Sequence, residues 1–143
     1  MQRTTLYHSF GFTHWANRRL LALLSQLPDD MLNADDARFY SGSAWGAVKH
    51  LVDVEWSWLR CCQRLDMKPY VWDLHPFGNM REALTFIDEE YERAEAYVAS
   101  LSDDDLAEML PINSADPEQP GQRVARGDLL MHILNHGTEH RSD

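Results

Sequence analysis

Residues 81–101 carry the sequence REALTFIDEEYERAEAYVASL, the clearest helical pattern in the chain. Its apolar side chains recur every three or four residues, a spacing that places them on one face of an α-helix. Asn79 precedes the pattern and is a suitable N-terminal cap. The stretch therefore predicts a helix over residues 79–101 whose buried face is formed by Leu84, Ile87, Tyr91, Ala94, Val98 and Leu101.

Three further stretches share this helical period, at residues 3–27, 43–65 and 127–141. In the first of them, Trp15 falls among the apolar residues that we expect to face the core. In the second, Ser43 is a suitable N-terminal cap. The two-residue alternation that is typical of strands is almost absent. The four patterns predict an all-α fold, an antiparallel four-helix bundle, and the core of such a bundle is a usual place for a metal or cofactor site.

The connection between the third and fourth long helices is polar and rich in helix breakers. It includes Pro117, Pro120 and Gly121, which do not continue a helix. We therefore expect a long crossover loop over residues 111–126, with a little extended structure near residues 122–124.

Length and charge limit the function classes. A chain of 143 residues fits one domain, so we expect residues 1–143 to share a single core. Thirteen Lys and Arg residues against 23 Asp and Glu residues give a net charge of −10. This balance is unfavourable for nucleic acid and for anionic membranes, which both require basic surfaces. Together with the lack of an apolar run of about 18 residues, it predicts a soluble, cytoplasmic domain.

Histidines are concentrated in the predicted last helix. His132, His136 and His140 follow one another at four-residue spacing, and a step of four residues advances a helix by only about 40°. Two imidazoles on one helix face can bind the same cation. His50 borders the apolar face of the second long helix. We therefore expect one histidine from that helix and two from the last to form a divalent-metal site, the alternative being hydrogen-bonded core histidines without a metal.

Two carboxylates lie close to these histidines in sequence. Asp53 follows His50 by three positions and shares its helix face, so it is a candidate for orienting the imidazole. The alternative is a solvated or helix-bridging role. Glu139, beside His140, is a weak candidate for a general base, and no catalytic residue is assigned from the sequence.

Three motifs resemble the DinB superfamily. They are WANRRLL at residues 15–21, AVKHLVDVEWSWL at residues 47–59 and NHGTEHRSD at residues 135–143. They occur in the order found in that superfamily and span the chain. The resemblance implies a four-helix bundle that holds a divalent metal, zinc, nickel or an iron-like ion, through three histidines. Carried over residue by residue, the implied ligands are His50, His136 and His140.

The resemblance also implies a function. Relatives with assigned activities are thiol-dependent transferases and isomerases and some hydrolases. We therefore expect a metal-dependent enzyme that acts on a small organic substrate, with a low-molecular-weight thiol as a candidate partner. The alternative is a non-catalytic, stress-associated metal-binding or dimeric structural protein. The number of tryptophans favours a homodimer.

The end of the chain raises an alternative for the ligand set. Members of the superfamily usually continue for one or more helical turns after the histidine–arginine pair, so a truncated C-terminus is an open alternative. His140 then falls in the last turn of its helix, where helices fray. His132 is the substitute ligand, because it also lies four residues from His136.

Overall fold

The computed structural model describes residues 3–112 and 121–142, and this part of the chain is predominantly helical. Within it, no helix is both long and apolar enough to cross a membrane. The helices are α1 (Arg3–Leu24), α2 (Asp29–Leu32), α3 (Ala44–Cys62), α4 (Val71–Leu74), α5 (Met80–Ser100), α6 (Asp103–Ala107) and α7 (Arg126–Arg141), and the strands are β1 (Met109–Pro111) and β2 (Arg123–Ala125).

The four long helices, α1, α3, α5 and α7, lie where the sequence predicts them, and local interactions set their ends. Ser43 accepts a hydrogen bond from the backbone of Gly46 at 3.0 Å, and Asn79 accepts one from the backbone of Glu82 at 3.0 Å. Both residues are therefore the predicted N-terminal caps. Helix α3 ends three residues earlier than expected, and Arg64 beyond it has a φ of 62°, which an α-helix cannot include.

A small antiparallel sheet replaces part of the predicted loop over residues 111–126. Met109 pairs with Ala125 and Leu110 pairs with Val124, so the chain before the loop and the chain after it are hydrogen-bonded together. Leu110 is buried. Strands of three residues are too short to show a two-residue period in the sequence, so only the extended structure near residues 122–124 was expected. Residues 113–120 of the predicted loop lie outside the described part of the chain.

A buried arginine fixes the beginning of α7. The Arg126 guanidinium donates hydrogen bonds to the backbone oxygens of Cys62 at 3.0 Å and Asp105 at 2.7 Å. It also donates to the Glu108 carboxylate at 2.7 Å. These bonds connect α7 to the end of α3 and to α6, which places the histidines of α7 alongside α3.

The interior of the described part of the chain contains two apolar clusters, and buried polar side chains lie between them along the helices. Helix α1 packs against α5 and α7, and α3 packs against α7. We call the buried Thr13, His14, Asn17 and Glu55 the polar layer. One cluster contains Leu6, Phe10, Cys61, Cys62, Val98, Leu101, Leu106, Leu110, Leu129, Leu130, Ile133 and Leu134. The other contains Leu21, Leu32, Val48, Val52, Val71, Met80, Ala83, Ile87 and Tyr91.

Candidate metal centre

Three histidines from two packed helices meet beside the core. His50 lies in the middle of α3, and His136 and His140 lie on consecutive turns of α7. One ring nitrogen from each of the three lies within 4.8 Å of the others. We call these three residues the histidine cluster. The geometry brings together the histidines that the sequence motifs indicate.

The distances within the histidine cluster suit a divalent ion. The Nε2 atoms of His50 and His136 are 3.1 Å apart. Two nitrogens bound to one tetrahedral zinc at about 2.1 Å from it are about 3.4 Å apart, so only a small adjustment is needed. The ring centroids of His50 and His140 lie 4.8 Å apart, and those of His136 and His140 lie 4.3 Å apart. All three residues are half-buried, so solvent reaches the cluster.

The electrostatics of the histidine cluster favour neutral imidazoles. Burial, followed by the neighbouring histidines, lowers the pKa of His136 to about 4. Burial and the proximity of His140 also lower the pKa of His50. Metal ligation requires the neutral ring, so at neutral pH His50 and His136 are already in the form that binds a cation. The three imidazoles therefore fit the divalent ion that the sequence predicts.

His132 lies outside the histidine cluster. It is exposed, and its ring centroid is 5.2 Å from that of Trp58 and 6.3 Å from that of His136. It is a neighbour of the cluster on α7, which is the role that the family resemblance implies. His140, rather than the substitute ligand His132, faces His50.

Asp53 and Glu139, the two carboxylates considered from the sequence, have different surroundings in the structure. Asp53 accepts a hydrogen bond from the backbone of Val71 at 3.0 Å, which connects α3 to α4. Burial raises the pKa of Asp53 to about 6, although backbone hydrogen bonds from Val71 and Trp72 oppose the increase. Asp53 therefore has the helix-bridging role that was the alternative prediction, rather than the role of orienting the His50 imidazole. Glu139 is exposed on α7.

The polar layer contains a histidine that was not selected from the sequence. His14 is fully buried, and its Nε2 lies 2.6 Å from Glu55 while its Nδ1 lies 2.7 Å from Glu95. Its ring stacks on Tyr91 with centroids 3.9 Å apart. The sequence did contain a signal for these buried polar residues. His14 and Asn17 lie on the same face of α1 as its buried apolar residues, at positions between them.

The pKa of His14 reflects two opposed effects. Burial by itself lowers the pKa, but the charges and hydrogen bonds of Glu55 and Glu95 outweigh burial and raise it above its ordinary value. A histidine whose pKa is raised on folding stabilises the protein fully below the unfolded-state pKa, which is about 6.5. This stabilisation is lost as the pH rises through the folded-state value.

We therefore expect the advantage of wild-type protein over a His14→Gln variant to decrease with rising pH. Glutamine does not titrate, so the difference between their free energies of unfolding isolates the histidine. The measurement is urea unfolding of both proteins at about pH 6 and about pH 9. A difference that grew with pH would contradict the assignment of a raised pKa to His14.

Comparison with known families agrees with the three sequence motifs. None of the curated proteins matches the chain. The model of the DinB family matches residues 1–143, and this match includes both helices that contribute to the cluster. Since the match extends over the whole chain, the chain belongs to the DinB family.

Proposed function

We propose that this protein binds a divalent metal ion through His50, His136 and His140. The observation that carries the proposal is the convergence of one ring nitrogen from each residue within 4.8 Å. The lowered pKa values of His50 and His136 support it, because the rings are neutral without help from a metal. The chemistry of three imidazoles suits zinc, nickel or ferrous iron.

We further propose that the metal centre is catalytic. Three protein ligands are typical of catalytic zinc, since they leave a coordination position for water or substrate, whereas structural zinc usually has four. A bound divalent ion lowers the pKa of a coordinated water or thiol and so supplies a nucleophile at neutral pH. The half-buried rings leave the centre accessible to a small organic substrate, with a low-molecular-weight thiol as the candidate co-substrate.

The residues around the centre would hold and enclose such a substrate. Tyr40 is largely exposed, and its ring centroid lies 5.9 Å from that of His50, so it borders the centre on the solvent side. Trp58 is in contact with His132 on the neighbouring turn of α7. These aromatic rings offer apolar contacts next to the ligands.

The second candidate is a metal-binding protein without turnover. The observation that favours it is the engagement of Asp53 with the backbone of α4, which gives this carboxylate a structural partner in place of His50. In this alternative, the metal contributes stability to a stress-associated protein or to a homodimer, and no substrate approaches the centre.

A thiol titration of the cobalt-substituted protein distinguishes the catalytic metal centre from the non-catalytic one. We expect cobalt(II) to bind, and 2-mercaptoethanol to shift its d–d absorption as a thiolate enters the open position. Removal of the metal by a chelator should abolish the signal. A cobalt spectrum that did not respond to the thiol would favour the non-catalytic alternative, and the absence of cobalt or zinc binding would refute both.

For the scaffold we propose the antiparallel four-helix bundle predicted from the sequence, formed as a single domain by α1, α3, α5 and α7. The contacts of α1 with α5 and α7, and of α3 with α7, support this arrangement. The homodimer and the cytoplasmic location are part of the same proposal. Size-exclusion chromatography with light scattering tests the dimer.

A further inference from the structure

The last turn of α7 carries one of the three clustered histidines. The helix ends at Arg141, so His140 is the penultimate residue of the helix. The final carbonyl groups of an α-helix have no partner within the helix, and terminal turns therefore open easily. A contact from outside the helix that holds this turn therefore also holds the position of His140.

Arg141 provides such a contact. Its Nη1 donates to Oδ1 of Asn17 in α1 at 2.8 Å, and its Nη2 donates to the hydroxyl of Thr138 one turn earlier at 3.0 Å. A guanidinium group can only donate, so the oxygen of the Asn17 amide must face it. The contact joins residues 124 positions apart in sequence and attaches the last turn of α7 to α1.

Asn17 is itself held rigidly. It is fully buried, and its Nδ2 donates to the hydroxyl of Tyr91 in α5 at 2.9 Å. The Tyr91 ring stacks on His14, which is bound on both sides by Glu55 and Glu95. The acceptor for Arg141 is therefore fixed by side chains from α1, α3 and α5.

We propose that Asn17 and Arg141 are positioning residues for the metal centre, and that they act by keeping His140 directed at His50 and His136. Consecutive residues on a helix are about 100° apart, so Arg141 points away from the face that carries His140. It acts through the backbone of the last turn and touches no metal. The inference rests on the proposed function, because it assigns His140 as a ligand.

A double-mutant cycle on zinc affinity tests the inference. We expect Arg141→Ala to weaken zinc binding by about 10-fold to 100-fold, the range found for residues that orient metal ligands. Arg141→Lys, which can still donate to Asn17, should recover part of the affinity. In the His140→Ala background, Arg141→Ala should cause no further loss, because the ligand on which it acts is already absent.

Arg93→Ala is the matched control. Arg93 is exposed on α5 and pairs with Glu89 of the same helix at 3.0 Å, so its removal tests the loss of an arginine contact that does not involve α7. We expect this variant to bind zinc as tightly as the wild-type protein. If Arg141→Ala weakened zinc binding by the same factor in the His140→Ala background as in the wild-type protein, the positioning role would be overturned.

Amide hydrogen exchange of the metal-free protein gives a second and independent measurement. Arg141→Ala should accelerate exchange at residues 139–142, whereas Arg93→Ala should not. Unchanged protection of this turn in Arg141→Ala would overturn the inference even if this variant bound zinc more weakly than the wild-type protein. If the wild-type protein bound no zinc, the proposed function would fail, and the exchange experiment would still decide whether the contact fastens the turn.

Discussion

Replacing His50 with alanine is expected to weaken zinc binding by at least about 100-fold, the upper end of the losses seen when a residue that merely orients a ligand is removed. Of the three clustered histidines, His50 alone comes from α3. Without it, the two histidines of α7 offer only two nitrogens from one helix. The measurement is competition for zinc against a chromophoric chelator at constant pH.

His132→Ala is the control for this experiment. It removes an imidazole from α7 that is exposed and lies outside the histidine cluster. Surface substitutions of this kind usually change free energies by no more than about 0.5 kcal/mol, so zinc affinity should stay within about twofold of the wild type. Equal losses in the two variants would show that His132 is a ligand and would contradict the proposed site.

Replacing His14 with alanine is expected to destabilise the protein by about 3 to 5 kcal/mol, the usual effect of removing one partner of a buried ion pair. The substitution leaves the buried Glu55 carboxylate without its imidazole and removes the ring that stacks on Tyr91. Single domains are stable by only about 5 to 15 kcal/mol, so a large fraction of the total would be lost. Urea unfolding near pH 6 measures it.

His8→Ala provides the comparison, because His8 lies on the same helix and is exposed. Its effect should not exceed about 0.5 kcal/mol. If His14→Ala cost less than about 1 kcal/mol, the contacts of His14 with Glu55 and Glu95 would contribute little, and the polar layer would not be an important source of stability.

The long helices were predictable because each has a continuous apolar face and recognisable ends. Residues 79–101 illustrate this: Asn79 caps the helix, and the predicted face contains the buried Ile87 and Tyr91. The prediction that Trp15 faces the core was wrong, since Trp15 is 52% exposed. Periodicity assigns apolar residues to a core face by default, but in α1 the polar His14 and Asn17 occupy that face because partners from other helices satisfy them.

The candidate site was predictable in part for a similar reason. The four-residue spacing of His136 and His140 places them together on any helix, whatever the rest of the fold. The participation of His50 depends on how α3 packs against α7. Its place at the border of an apolar helix face made it a candidate, and the family resemblance pointed to the same residue. The Arg141–Asn17 contact was not predicted, because no local pattern indicates a hydrogen bond between residues 124 positions apart.

The polar layer also determines how the helices are aligned along their axes. Apolar faces can slide past one another by a turn and still bury similar side chains, whereas hydrogen bonds are directional and short. A slide of one turn, about 5.4 Å, would break the contacts of His14 with Glu55 and Glu95 and that of Asn17 with Tyr91. The layer therefore selects one axial register, and that register is the one in which His50 stands opposite His136.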